Sequence, residues 1–219
     1  MAEIDLMERY PKSKRDNLLE VRVAVSEEDR LIAQQFGKDY FDGPRRLGLG
    51  GYTYKPEFFS PVVAHMIEHY DLTSESSVLD VGCAKGFMMH DFKAALPGIN
   101  VAGVDISEYC IQNAMPSVAP FIQRASCDDL PYNDKSFDLV IAIATIHNLN
   151  IDGVKKSLQE IMRVTRKNAF IKVNGYSNND ERDALNKWNL VAKTILHVDE
   201  WRSIFKEVGY TGDYFWFTP

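Results

Sequence analysis

Asp80 and Asp105 stand where carboxylates can do chemistry. Asp80 lies in LDVGCAKG, residues 79–86, at the point where an apolar run gives way to a helical pattern. In such a junction Gly82 gives the tight turn, the small Ala84 lets backbone approach a ligand closely, and Gly86 lets the helix pack near the strand. These residues, with Cys83 among them, form a ligand-cradling loop. Asp80 discriminates between ligands: a carboxylate two positions before the first glycine repels a pyrophosphate and suits a ligand bearing an ammonium or sulfonium charge. Asp105, in GVDIS, lies about 20 residues beyond the glycines, where a carboxylate accepts both hydroxyls of a ribose. That second feature alone fits a dinucleotide equally well.

These side chains need a sheet to hold them. From Ser77 onward, short apolar runs alternate with amphipathic stretches, the pattern of βαβ units and a parallel sheet. SVLDVG, NVAGVDIS, PFIQRASC, SFDLVIAIAT and AFIKVNGY read as strands, and TGDYFWFTP as a last one. GFMMHDFKAAL, the stretch from Ser107 to Met115, IDGVKKSLQEIMRVT and the stretch around Glu200–Val208 read as helices. Ser107 and Asp152 are the expected N-caps of the second and third of these, and SNNDERD reads as a polar connection. The expected fold class is α/β, a doubly wound and mostly parallel sheet. Residues 57–219 would form the main domain and residues 1–56 an N-terminal helical extension with a Gly-rich lid.

Bulk properties narrow the partners. The chain has 219 residues and a net charge of −6, with no long run of lysine and arginine, so the footprint of a nucleic-acid binder is absent. The start, MAEIDLMERYPKSKRD, is acidic where a signal peptide is basic, and no window is long and apolar enough for a membrane span. A cytoplasmic protein with no membrane partner is the expectation. Cys83, Cys110 and Cys127 are too few and too scattered for a disulfide frame or zinc site. The match of His65-Met66-Ile67-Glu68-His69 to an inverted zincin pattern falls on an apolar helical stripe, and no metal is expected.

Taken together, Asp80-x-Gly82-x-Ala84-x-Gly86, Asp105, the ASCDDLPYNDKSFDLV segment and the residues after the fourth strand resemble the class I S-adenosylmethionine-dependent methyltransferases of the small-molecule type. The resemblance runs from roughly Glu57 onward. It implies that the Gly82–Gly86 backbone and Asp80 surround the methionine part of S-adenosylmethionine, that Asp105 holds the ribose and that Ile106 packs on the adenine. It implies an adenine contact at Ser126, where the family usually has an acidic residue, with Asp128 nearby as a substitute. Cys127 would supply a backbone N–H to the ring, and Ala144 would be a further cofactor contact. The family pattern also implies seven strands ending in an antiparallel hairpin. Only nine residues follow Tyr210, enough for one strand, so the edge is expected to be one strand short or built differently.

His147, in ATIHNLN beyond the fourth strand, is the candidate general base, because imidazole can take a proton from a hydroxyl or amine as methyl transfer proceeds. Asn148 could position substrate. The same loop has neither a nucleophilic cysteine nor an Asn/Asp-Pro-Pro-aromatic sequence, which argues against nucleic-acid bases as substrate. GPRRLGLGGYTY, residues 43–54, lacks the strand-to-helix setting of a phosphate loop and reads as a lid over cofactor and substrate. Tyr52 and Tyr54 would form its walls, and Arg45 or Arg46 would clamp a carboxylate or phosphate.

The reading is methyl transfer from S-adenosylmethionine to an oxygen or nitrogen of a small, anionic, sugar-derived or phosphorylated metabolite. Similarity of the lid and the GYTGDYFWF ending to bacterial methyltransferases of surface-polysaccharide or related biosynthesis motivates that acceptor class. The alternative is a catalytically inactive S-adenosylmethionine-binding sensor or partner subunit, suggested by Ser126. A nucleotide-sugar oxidoreductase is disfavoured by Asp80 and by the lack of a Tyr-x-x-x-Lys pair.

Overall fold

The computed structural model describes residues 1–11 and 25–218. Its sheet contains β1 (Ser77–Val81), β2 (Asn100–Asp105), β3 (Ile122–Arg124), β4 (Phe137–Ile143), β5 (Thr165–Tyr176), β6 (Leu196–His197) and β7 (Asp213–Phe217). The order is β3-β2-β1-β4-β5-β6, with β7 also paired to β5. All five residues of β1 are buried, as are six of the seven in β4, which is why their sequences are mostly apolar on both faces. The central strands therefore end together at one edge of the sheet, and their last residues build the site.

Helices cover both faces. α1 (Glu27–Ala33), α2 (Lys38–Phe41), α3 (Pro56–His69) and α4 (Phe87–Ala95) are followed by α5 (Glu108–Gln112), α6 (Ile151–Val164), α7 (Asn179–Trp188) and α8 (Val198–Val208). Leu79, Val81, Val140 and Ala142 pack with Val154, Leu158 and Ile161 of α6 and with Trp201 and Phe205 of α8. On the other face, Val78, Leu139, Ile141 and Phe170 meet Val62, Val63 and Met66 of α3, Met89 and Phe92 of α4, and Leu6. Period-two alternation within each strand divides the two cores.

Two expectations are corrected and a third is met. The N-cap of α6 is Asn150, whose side chain accepts the Gly153 N–H, while Asp152 sits in the first turn. SNNDERD opens α7: Asn178 caps it by accepting the Glu181 N–H, and Leu185 is its buried residue. The sheet edge is built differently from an antiparallel hairpin, as expected: β7 runs parallel to β5, from Phe170↔Asp213 to Asn174↔Phe217, and β6 is two residues long. Between β6 and β7 the chain forms α8, and such a crossover returns a strand in parallel where a tight turn would return it antiparallel.

The first residues cover the exposed side of β7. Ile4 donates to the Tyr214 carbonyl at 2.9 Å, Tyr214 donates to the Ala2 carbonyl at 3.0 Å, and the Ala2 N–H reaches Asp213 Oδ1 at 2.7 Å. His65 and His69 lie beside Glu8 and Asp213 respectively, each at 3.6 Å. No group of three metal-ligating side chains occurs among the described residues. No helix among them is long and apolar enough to cross a membrane.

Candidate active site

The turn after β1 is built by backbone geometry that few residues tolerate. Gly82 has φ +81°, and a Cβ there would lie 2.1 Å from Thr145 Oγ1, so the position excludes side chains twice over. Ala84 also sits in the left-handed region, at φ +48°. That turn points the Ala84 N–H at Asp105 Oδ2, 2.7 Å away, while the Ser107 N–H meets Asp105 Oδ1 at 2.7 Å. Burial pushes the Asp105 carboxyl above its usual range, and these N–H groups oppose the shift. Asp105 is thus oriented by the backbone before any ligand arrives.

Asp80 is different. It is buried, and among the described residues no group donates a hydrogen bond to its carboxylate. Burial, with the charge of Asp105 as a smaller cause, raises its pKa to about 7. A buried carboxylate with no partner is costly, and a bound cation would relieve that cost.

Both acids face a cavity of about 680 Å³ at the carboxyl ends of the strands. Gly82, Cys83, Ala84, Ser126, Cys127 and Ala144 also line it, as does Ile106, an apolar side chain left 53% exposed. Two predicted contacts are not on the wall. Gly86 caps the start of α4 with φ +77°, and Asp128 accepts a hydrogen bond from the Ser126 hydroxyl. The structure thus brings together most of the sequence-predicted cofactor residues.

Residues 36–52 close over this cavity. Phe36, Tyr40, Phe41, Leu49 and Tyr52 contribute wall, and Tyr52 stacks on Phe87 with ring centroids 4.7 Å apart. A buried ionic latch holds the segment down. Lys85 Nζ donates to Asp42 Oδ2 at 2.6 Å and to the Tyr52 carbonyl at 2.8 Å, and the Tyr109 hydroxyl donates to the same Asp42 oxygen at 2.5 Å. Ser107 adds a bond to the Phe36 carbonyl at 2.5 Å. Burial pushes the Asp42 pKa up, but Lys85, Tyr109 and the Tyr52 N–H together hold it below the usual carboxylate range. Gly48 matters here because a Cβ would lie 1.8 Å from the Tyr40 carbonyl.

Four predicted residues lie elsewhere. Arg45 donates to the Leu49 carbonyl at 2.6 Å and to the Gly48 carbonyl at 3.2 Å, and Arg46 pairs with Asp29. Neither arginine lines the cavity, so the expected clamp is not on its wall. Tyr54 bonds Asp91 and packs edge-on against His90, also off the wall. His147 is buried: its Nδ1 accepts the Asn174 N–H at 3.1 Å, and its carbonyl accepts from Lys193 and Thr194. Burial, reinforced by Lys172, lowers its pKa to about 4, and it does not line the cavity. Its contacts tie β5 to the loop before β6. Asn148 does line the cavity, with Nδ2 donating to the Ala144 carbonyl at 3.2 Å.

The sequence reading missed Lys85 and Asp42, whose pairing crosses 43 positions and leaves no local signal. It also missed Lys172, Lys193, Met7 and Tyr10, all on the wall. For Lys172 a signal existed: a lone lysine inside the apolar strand AFIKVNGY.

Residues 79–173 match the family model described as a methyltransferase domain. An uncharacterized protein of Haemophilus influenzae is 27% identical over 157 residues, 66% of this chain and 62% of its own. The tRNA (carboxymethyluridine(34)-5-O)-methyltransferase of Arabidopsis thaliana is 30% identical over 144 residues, 64% of this chain and 33% of its own. The crystal structure of the YcgJ protein from Bacillus subtilis superposes with a TM-score of 0.55 at 20% identity, covering 67% of this chain and 66% of that one. The chain thus spans 62% and 33% of the lengths of these two curated relatives.

Proposed function

The chain carries a methyltransferase domain with the class I methyltransferase fold, and on that premise we propose that it transfers a methyl group from S-adenosylmethionine to an oxygen or nitrogen of a small, anionic acceptor. The observation that carries this reading is Asp80, a buried carboxylate without a hydrogen-bond donor, on the wall of a cavity beside the glycine turn. Asp80 fits the ammonium of the donor's methionine part. Asp105, already aimed by two N–H groups, fits the ribose hydroxyls, and Ile106 with the Cys127 backbone fits the adenine. When bound, S-adenosylmethionine supplies a methyl group activated by its sulfonium charge.

The protein's own part is binding, orientation and exclusion of water. Phe36, Phe41, Leu49 and Tyr52 contribute an apolar wall, and the lower local dielectric beside it strengthens charge interactions. Burial, then the Asp80 charge, keeps the Tyr52 phenol protonated, so it acts as a hydrogen-bond donor that can orient an acceptor oxygen. With His147 tied to Asn174, the reading assigns no imidazole base, and holding the two reactants in line carries the rate.

Calorimetric titration with S-adenosylhomocysteine, with NAD as control, tests this. Saturable binding of the first alone, weakened tenfold or more in Asp80→Asn and in Asp105→Ala, supports the reading. A wild-type protein that ignores S-adenosylhomocysteine ends it.

A further inference from the structure

Besides the exposed Lys193, three cations stand at or beside the cavity, and two of them are paired. Lys85 meets Asp42 at 2.6 Å, and Arg124 meets Glu108 at 3.5 Å. The third, Lys172 of β5, lines the cavity and forms no ion pair with any described residue. Its flanking residues Ile171 and Val173 are fully buried and point the other way. Its Nζ lies 5.1 Å from the centre of the Phe217 ring, a contact that favours the charged form. Burial lowers its pKa, and Asp5 opposes that shift without forming an ion pair.

Strand register fixes where Lys172 stands relative to Asp80. Asp80 pairs with Ile141 and Ile141 with Phe170, and partners in parallel strands share a face. Lys172, two residues past Phe170, shares that face. It is two strands across and two residues further toward the open edge, roughly 12 Å from Asp80 by ordinary strand spacings. The donor's ammonium belongs at Asp80 under the reading above, so Lys172 falls where the acceptor must lie, beyond the methyl group. Its neighbour in register is Ile143, also on the wall and apolar.

We propose that Lys172 binds a negatively charged oxygen group, carboxylate or phosphate, of the methyl acceptor and so selects which molecules the cavity methylates. This rests on the methyl-transfer reading and replaces Arg45 and Arg46 as the anion contact. Lys193, exposed at the same cavity with its N–H held by the His147 carbonyl at 3.0 Å, adds a second cation toward solvent. An ammonium beside an apolar wall discriminates strongly, because a neutral acceptor leaves it desolvated and unpaired.

The test titrates the protein with inorganic pyrophosphate and, separately, with acetate, each with and without saturating S-adenosylhomocysteine. The expected result is saturable binding of at least one anion, weakened tenfold or more in Lys172→Met and kept within threefold in Lys172→Arg. Lys193→Met should lose no more than threefold. Lys172→Gln replaces Lys172→Met should the latter fail to fold. S-adenosylhomocysteine should bind Lys172→Met within twofold of wild type. Equal anion binding by wild type and Lys172→Met, or none by wild type, overturns the proposal. A tenfold loss of S-adenosylhomocysteine affinity in Lys172→Met also overturns it, by assigning the lysine to the donor's own carboxylate. Failure of the wild type to bind S-adenosylhomocysteine is scored separately: it sinks the cofactor reading, and with it the acceptor role, even where the anion binds.

Discussion

Asp80 and Lys172 leave the same face of the sheet two strands apart and line one cavity with groups of opposite charge. Neither has a hydrogen-bonded or ion-paired partner among the described side chains. A cavity wall of this kind is complementary to a pair of ligands, one cationic and one anionic.

The pH dependence of the Asp80 site follows from its raised pKa. An Asp80 pKa of about 7 in the fold, against an ordinary value of 3.8, means that the folded ligand-free protein holds this proton where the unfolded chain loses it. Stability is therefore undiminished below about pH 4, falls as pH rises through the window to about 7, and stays reduced above it, by on the order of 2–4 kcal/mol. Asp80→Asn should raise the melting temperature of the ligand-free protein at pH 8 and flatten its pH profile. S-adenosylhomocysteine affinity of the wild type should rise over the same interval as the carboxylate ionises. A pH-independent affinity between 5 and 8 would remove Asp80 from the site.

His147 is predicted to be structural. His147→Gln, which retains an acceptor for the Asn174 N–H, should keep kcat within tenfold once an acceptor is in hand. His147→Ala should lose about 1–3 kcal/mol of stability in denaturant titrations, because a buried donor is left unpaired. A drop of a thousandfold in kcat for the glutamine variant, with unchanged stability, would restore the imidazole as base.

Gly82 and Thr145 should behave as one unit. Gly82→Ala places a methyl group against Thr145 and at φ +81°, costing more than about 2 kcal/mol and abolishing S-adenosylhomocysteine binding. Adding Thr145→Ala removes the nearest clash but not the φ penalty, so stability should recover by about 1 kcal/mol. Strict additivity of the two changes would show that the contact is not what excludes a side chain.

The latch on residues 36–52 can be cut at its cation. Lys85→Met leaves Asp42 without its ion-pair partner and should cost about 3 kcal/mol. Asp42 is held below its usual pKa, so the stability it adds is present above about pH 4 and is lost as pH falls through its folded value. In Lys85→Met that acid limb should shrink. Amide hydrogen exchange across residues 36–52 should quicken at least tenfold while β1 and β4 stay protected, and uniform exchange throughout would count against a separable lid.

Much of this was legible in the sequence, and the boundary of legibility has a physical cause. Alternating apolar and amphipathic runs gave the α/β class, and β1 and β4 were plain because burial on both faces leaves them mostly apolar, with Ser77, Asp80 and Asp138 as the buried polar exceptions. The glycine turn and Asp105 were legible because their chemistry is local, set within one βαβ unit. The parallel β7 was not, since hairpin and crossover differ only in whether the residues between pack as a helix across the sheet. The polar α7, with Leu185 as its buried residue, carries too little apolar periodicity to announce itself. His147 was placed on the right loop but with the wrong heading, because a loop's sequence does not say which side chains turn inward. Lys85 with Asp42, and Arg46 with Asp29, are pairings across distance that a linear reading cannot supply.

The strip formed by Ala2–Ile4 on β7 has a kinetic consequence. The Ala2 N–H and Asp213 are 211 positions apart in the chain, and Leu6, on the same segment, is fully buried in the core beneath α3 and α4. Contacts of such separation form late, after the entropy of closing the intervening chain has been met by other interactions. The outer edge of β7 is therefore expected to be the last part of the sheet to become protected. Until then the outer edge of β7 is a strand template open to other chains, so refolding yield should fall with protein concentration more steeply than refolding rate.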